Sequence, residues 1–144
     1  MYAVERYHDI SAGHRVFGHE GKCRFLHGHN YRIHFRCISS GENHPLDDVG
    51  RVVDFGIIKE TICMWVEHNW DHRFLMWEGD PELEHLRAID PTVVALPFNP
   101  TAENMARYLV EVIGPEMFRS RGIVLHGVLI EETAKCYASY KRDE

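Results

Sequence analysis

Residues 30–39 can only be read as a strand with one buried face. Tyr31, Ile33 and Phe35 alternate with Asn30, Arg32, His34 and Arg36, the two-residue period of a half-buried strand. Just upstream lies His27-Gly28-His29. In extended backbone, residues two apart share a face, so both imidazoles can turn to one ion, and Gly28 has no side chain to crowd the approach. His34 falls on the opposite face and is not expected as a ligand.

Histidine is abundant here, with eleven among 144 residues, and His14, His19, His27 and His29 lie in one short stretch with Cys23. His14, in Ser11-Ala-Gly-His14, is the best third ligand. Three neutral imidazoles with an open fourth position describe a catalytic zinc site, although copper, nickel or iron would also accept such nitrogen donors. Cys23 leaves two readings open. It can be the fourth ligand of a closed structural site, or a free thiol that moves protons beside a bound substrate.

Around this stretch the sequence reads as a single domain over residues 1–144, with no repeat and no low-complexity linker. Residues 2–12 resemble a strand. Gly41–Gly50 reads as a turn leading to a short strand at Arg51–Asp54. Asp54 is a suitable N-cap for a helix from about Phe55, with Ile57, Ile58, Ile62, Trp65 and Val66 at helical spacing. Residues 70–98 look irregular, being interrupted by Pro81, Pro91 and Pro97. A second helix starts near Thr101, carries Met105, Leu109, Val112 and Ile113, and is disrupted or ended at Gly114-Pro115. Ile123–Glu131 and Lys135–Tyr140 close the chain as strands. The order implies an α+β fold with an antiparallel sheet.

A formal charge of −6 argues against a nucleic-acid partner. No apolar run approaches the roughly 18 residues of a membrane span, and the first residues lack a secretory apolar core. A cytoplasmic, reducing location follows, with Cys37, Cys63 and Cys136 expected to pack as small hydrophobes.

The run Cys-x-x-x-His-Gly-His-Asn with His14 upstream resembles the 6-pyruvoyltetrahydropterin synthase superfamily. Gly50-Arg-Val-Val-Asp54-Phe55, Trp70-Asp71-His72, Asn99-Pro-Thr101-Ala-Glu-Asn104 and Ile130-Glu-Glu132-Thr133 resemble further landmarks of that family, in order along the chain. The resemblance implies a T-fold: a four-stranded antiparallel sheet with two helices on one face, assembling as a homo-oligomer (trimer or hexamer) with sites between subunits. It implies Zn2+ on His14, His27 and His29, Cys23 as proton-abstracting base, and Asp71 with His72 as an acid–base pair. Glu132 would hold the guanidine-like edge of a pterin triphosphate substrate, and Thr101 would support the ring. The spacing of three residues between Cys23 and His27 resembles the branch that makes 6-carboxytetrahydropterin for queuosine and deazapurine synthesis, while Arg73 departs from the second histidine often seen there. Pyruvoyl formation or another side-chain cleavage, and a non-catalytic zinc-stabilised module, are the competing readings.

Overall fold

A computed structural model describes residues 1–143. In chain order the elements are β1 (Val4–His14), β2 (His27–Ser39), α1 over 55–69, β3 (Phe74–Trp77), α2 (Leu83–Ile89), β4 (Val94–Leu96), α3 over 102–117, β5 (Ile123–Glu131) and β6 (Tyr137–Lys141). They form one six-stranded sheet in the order β4-β3-β1-β2-β5-β6. The β1–β2, β2–β5 and β5–β6 pairings are antiparallel. β3 is parallel to β1, and β4 is parallel to β3.

The expected four-stranded antiparallel sheet with two helices is therefore corrected to a mixed sheet of six strands with three helices. The difference lies in residues 70–98. The three prolines that make this stretch look irregular stand between elements rather than inside them. Pro81 precedes α2, Pro91 separates α2 from β4, and Pro97 follows β4. Phe74–Trp77 and Val94–Leu96 are thus left free to add two short strands to the β1 edge.

Three smaller expectations also change. Arg51–Asp54 is not a strand. The Asp47 carboxylate accepts the amides of Val49 and Arg51 at 3.0 and 2.8 Å, which folds the segment into a turn, and Val52 and Val53 reach the core from it. The last strand starts at Tyr137 because the Thr133 hydroxyl accepts the amides of Lys135 and Cys136, holding those residues in a turn. The Gly114-Pro115 pair does not end α3, which continues to Met117 after a widened π-helical turn at Leu109–Ile113. A proline ring collides with the carbonyl four residues back in a regular helix, and a wider turn relieves that collision.

The caps at Asp54 and Thr101 form as expected, accepting the amides of Gly56 at 2.7 Å and Asn104 at 3.1 Å. Tyr31, Ile33 and Phe35 of β2 are fully buried beside Ile10 and Ile130, and Ile58, Ile62, Met105 and Leu109 of the two long helices cover them. The other sheet face is polar. Arg32 makes a two-pronged contact with Asp9 at 2.9 and 3.1 Å, and His34 meets Glu131 at 2.6 Å. Among the described residues no helix is long and apolar enough to cross a membrane.

Candidate metal centre

The β1–β2 register builds the site. His14 lies directly opposite His27, and His29 opposite Ala12, so all three imidazoles leave the ribbon on its core-facing side. The glycines Gly13 and Gly28 also pair. A Cβ on Gly28 would come within 3.0 Å of the Ala12 carbonyl oxygen, so the two strands approach closely where the ligands stand. Ring centroids are 4.6 Å apart for His14 and His27, 5.1 Å for His14 and His29, and 5.0 Å for His27 and His29. One ligand atom from each of the three falls within 4.8 Å of the others.

The protonation pattern fits a metal. His14 Nδ1 donates to the Pro100 carbonyl and His27 Nδ1 to the Phe25 carbonyl, both at 2.7 Å. Each bond fixes the tautomer that leaves Nε2 with a lone pair. The Nε2 atoms of His14, His27 and His29 are buried and have no hydrogen-bond partner among the described residues. Burial first, then the neighbouring rings of His27 and His29, lowers the His14 pKa to about 4. Burial likewise lowers that of His29, against the opposing pull of Glu132. For His14 and His29 burial thus favours the neutral form, the form that binds a metal.

The remaining expected residues divide into two groups. Glu132 stands at the triad, its Oε2 4.0 Å from His29 Nε2. Cys23 is a half-buried free thiol in the short Lys22–Arg24 turn, whose main chain is tied back by a bond from Val16 N to Cys23 O at 2.8 Å. Among the described residues, the 4.8 Å ligand group contains neither Cys23 nor Glu132. Thr101, next to the Pro100 that anchors His14, caps α3.

Asp71 and His72 lie elsewhere. The Asp71 carboxylate accepts the Ser11 amide at 2.9 Å and the His72 Nδ1 proton at 2.8 Å, and the His72 amide donates to the Ser11 carbonyl at 2.6 Å. Burial alone would raise the Asp71 carboxyl, but the Ser11 amide and His72 outweigh it and hold it below its ordinary value. His72 has φ of 58° and a side chain 80% exposed. It lines a groove together with Asp9, Ser11, Asn30 and Arg32. Among the described residues neither Asp71 nor His72 belongs to the three-histidine ligand group, although His72 shares a second groove with His27 and His29.

Sequence reasoning missed Pro100, whose carbonyl orients His14. It also missed Asp80, which binds Arg15 beside the triad, and Asn99. The Asn99 side chain accepts the Phe17 amide and donates to the Phe17 carbonyl, at 3.1 and 2.7 Å. A buried aspartate and an asparagine ahead of a capped helix were the available signals, and neither is distinctive without the fold. Cys37 and Cys63 are buried as expected, with burial pushing their thiols up to about 12 and about 11, whereas Cys136 is exposed rather than packed.

This sheet, its covering helices and the three-histidine end define a T-fold protein with a metal-binding site. An uncharacterized protein of Wolinella succinogenes has the same fold, with a TM-score of 0.83 at 22% identity over 99% of this chain and 98% of that one. The 6-pyruvoyl tetrahydropterin synthase of Caenorhabditis elegans aligns with a TM-score of 0.68 at 26% identity, over 99% and 96% of the two chains. In sequence, a 6-carboxy-5,6,7,8-tetrahydropterin synthase of Rickettsia bellii is 35% identical over 139 residues, 95% of this chain and 98% of that protein. Residues 3–143 match the family model described as 6-pyruvoyl tetrahydropterin synthase, and the chain belongs to that family.

Proposed function

We propose that the protein is a zinc-dependent lyase that converts 7,8-dihydroneopterin triphosphate to 6-carboxy-5,6,7,8-tetrahydropterin, releasing acetaldehyde and triphosphate. The observation that carries the catalytic reading is the convergence of three buried, unpartnered Nε2 atoms, two of them on rings fixed through Nδ1 by main-chain carbonyls. The Rickettsia relative supports this product over the pyruvoyl one. An all-imidazole donor set with no fourth protein atom in the group suits catalytic zinc. When bound there, zinc supplies Lewis acidity toward the substrate's side-chain oxygens, making the neighbouring C–H and O–H protons easier to remove.

The chain's own groups take the other tasks. Cys23 Sγ is the base that takes a proton from the substrate side chain. Glu132, as a carboxylate, accepts two charge-assisted hydrogen bonds from the guanidine-like edge of the pterin. Thr101 uses its hydroxyl oxygen for the α3 cap and keeps its hydroxyl hydrogen for the ring. His72 moves a second proton at Nε2 while Asp71 holds Nδ1. Asp71 and His72 stand outside the three-histidine group, and on this reading the complete site is formed by two copies in a homo-oligomer.

Mass spectrometry of the products made by zinc-loaded protein from 7,8-dihydroneopterin triphosphate tests this reading. The expected products are 6-carboxytetrahydropterin and acetaldehyde, and a 6-pyruvoyl or 6-hydroxymethyl product would move the protein to another branch. Cys23→Ala is expected to keep its zinc and lose turnover. Loss of zinc together with thermal stability would instead make Cys23 a ligand of a closed structural site.

A further inference from the structure

One polar atom at this site has no task in the mechanism above. Tyr31 follows His29 by two residues on the same face of β2, and its ring packs edge-on against both His14 and His29, with centroids 5.9 and 5.4 Å away. The residue is completely buried. Its hydroxyl nevertheless has no hydrogen-bond partner among the described residues. Glu132 and Cys23, the expected pterin anchor and base, lie within electrostatic reach of it. A phenol buried without a partner is destabilising, because desolvating a hydroxyl has an uncompensated cost. Phenylalanine would fill the same space without that cost. A hydroxyl in such a position is explained by a partner that arrives later.

We propose that Tyr31 is a ligand-binding residue whose hydroxyl donates a hydrogen bond to an oxygen acceptor of the pterin held between the triad and Glu132. The inference rests on the pterin reading above. Glu132 accepts hydrogen bonds and the imidazoles are committed to the metal, so the walls described so far offer few donors to a ligand rich in oxygen acceptors. Tyr31 supplies one from the interior, held in place by the two ligand rings.

The test is Tyr31→Phe, compared with wild type as zinc-loaded protein, using 7,8-dihydroneopterin as the probe in equilibrium binding. Zinc content is expected to be unchanged, since the tyrosine offers no atom to the three-nitrogen group. Thermal melting without ligand is expected to be unchanged or higher, since an unpartnered hydroxyl has been removed. Pterin affinity is expected to fall about tenfold, the loss of one buried hydrogen bond. Wild-type affinity in the variant would overturn the inference while leaving the pterin reading intact. A lower melting temperature with unchanged affinity would likewise overturn it, making the hydroxyl structural. Absence of pterin binding by wild type would overturn the functional reading and this inference with it.

Discussion

Arg15 directly follows a triad histidine, and its guanidinium holds Asp80 through two bonds of 2.6 Å, from Nε and Nη2. The Asp80 side chain is 1% exposed and that of Arg15 18%, so the pair is largely removed from water. Burial alone would raise the Asp80 carboxyl. The Arg15 guanidinium and the Glu82 amide outweigh burial and hold it below the ordinary value of 3.8. On acidification the unfolded chain takes up the proton first. The stability supplied by this pair is therefore fully present above about 3.8 and is lost as pH falls through the lower folded value. Asp80→Asn leaves a mostly buried guanidinium without its counter-charge and is expected to destabilise the fold by about 3 kcal/mol at pH 7. Urea unfolding over a pH series checks both points: the gap between wild type and variant should hold constant down to weakly acid pH and narrow below it. A gap that widened in acid would contradict this account.

The helix α3 meets the sheet closely at one small residue. At Gly114 an added Cβ would lie 2.8 Å from Leu125 Cβ and 2.9 Å from Leu125 Cδ2, which explains a glycine within the helix that is not a stop. Gly114→Ala raises intrinsic helix propensity, yet overpacking this contact is expected to dominate and destabilise by about 1–3 kcal/mol, readable as a lower denaturation midpoint with an unchanged slope. The same residue shows what sequence periodicity can and cannot reveal. A glycine followed by proline carries the local signature of a helix end, and the reason it is not one here is Leu125, eleven residues away on another element. β5 was legible to the residue, and β2 and both caps nearly so, because each follows from a period or a local side-chain bond. β3 and β4 were not, since four and three residues give no period to read and their pairing with β1 is a tertiary event. The triad was visible because strand parity aligned His27 with His29. The Pro100 and Asp80 contacts join residues 86 and 65 positions apart, beyond the reach of any local pattern.

For the whole molecule, the separation of the expected site residues into two groups matters most. The triad with Glu132 forms one group, and the Asp71–His72 pair forms another that two hydrogen bonds fix to the Ser11 main chain. On the proposed reading the two sets come from different copies, and activity then requires assembly. Cys23→Ala and His72→Ala each disable a different half of such a site. The decisive measurement is the turnover of 7,8-dihydroneopterin triphosphate by the zinc-loaded wild type, by each variant alone, and by the two variants unfolded, mixed in equal amounts and refolded together. Each variant alone should be inactive, and random mixing should restore about a quarter of the sites, with activity in proportion. A mixture that stays inactive while refolded and zinc-replete, beside an active wild type, would contradict a site built from two copies, and an inactive wild type would contradict the lyase itself.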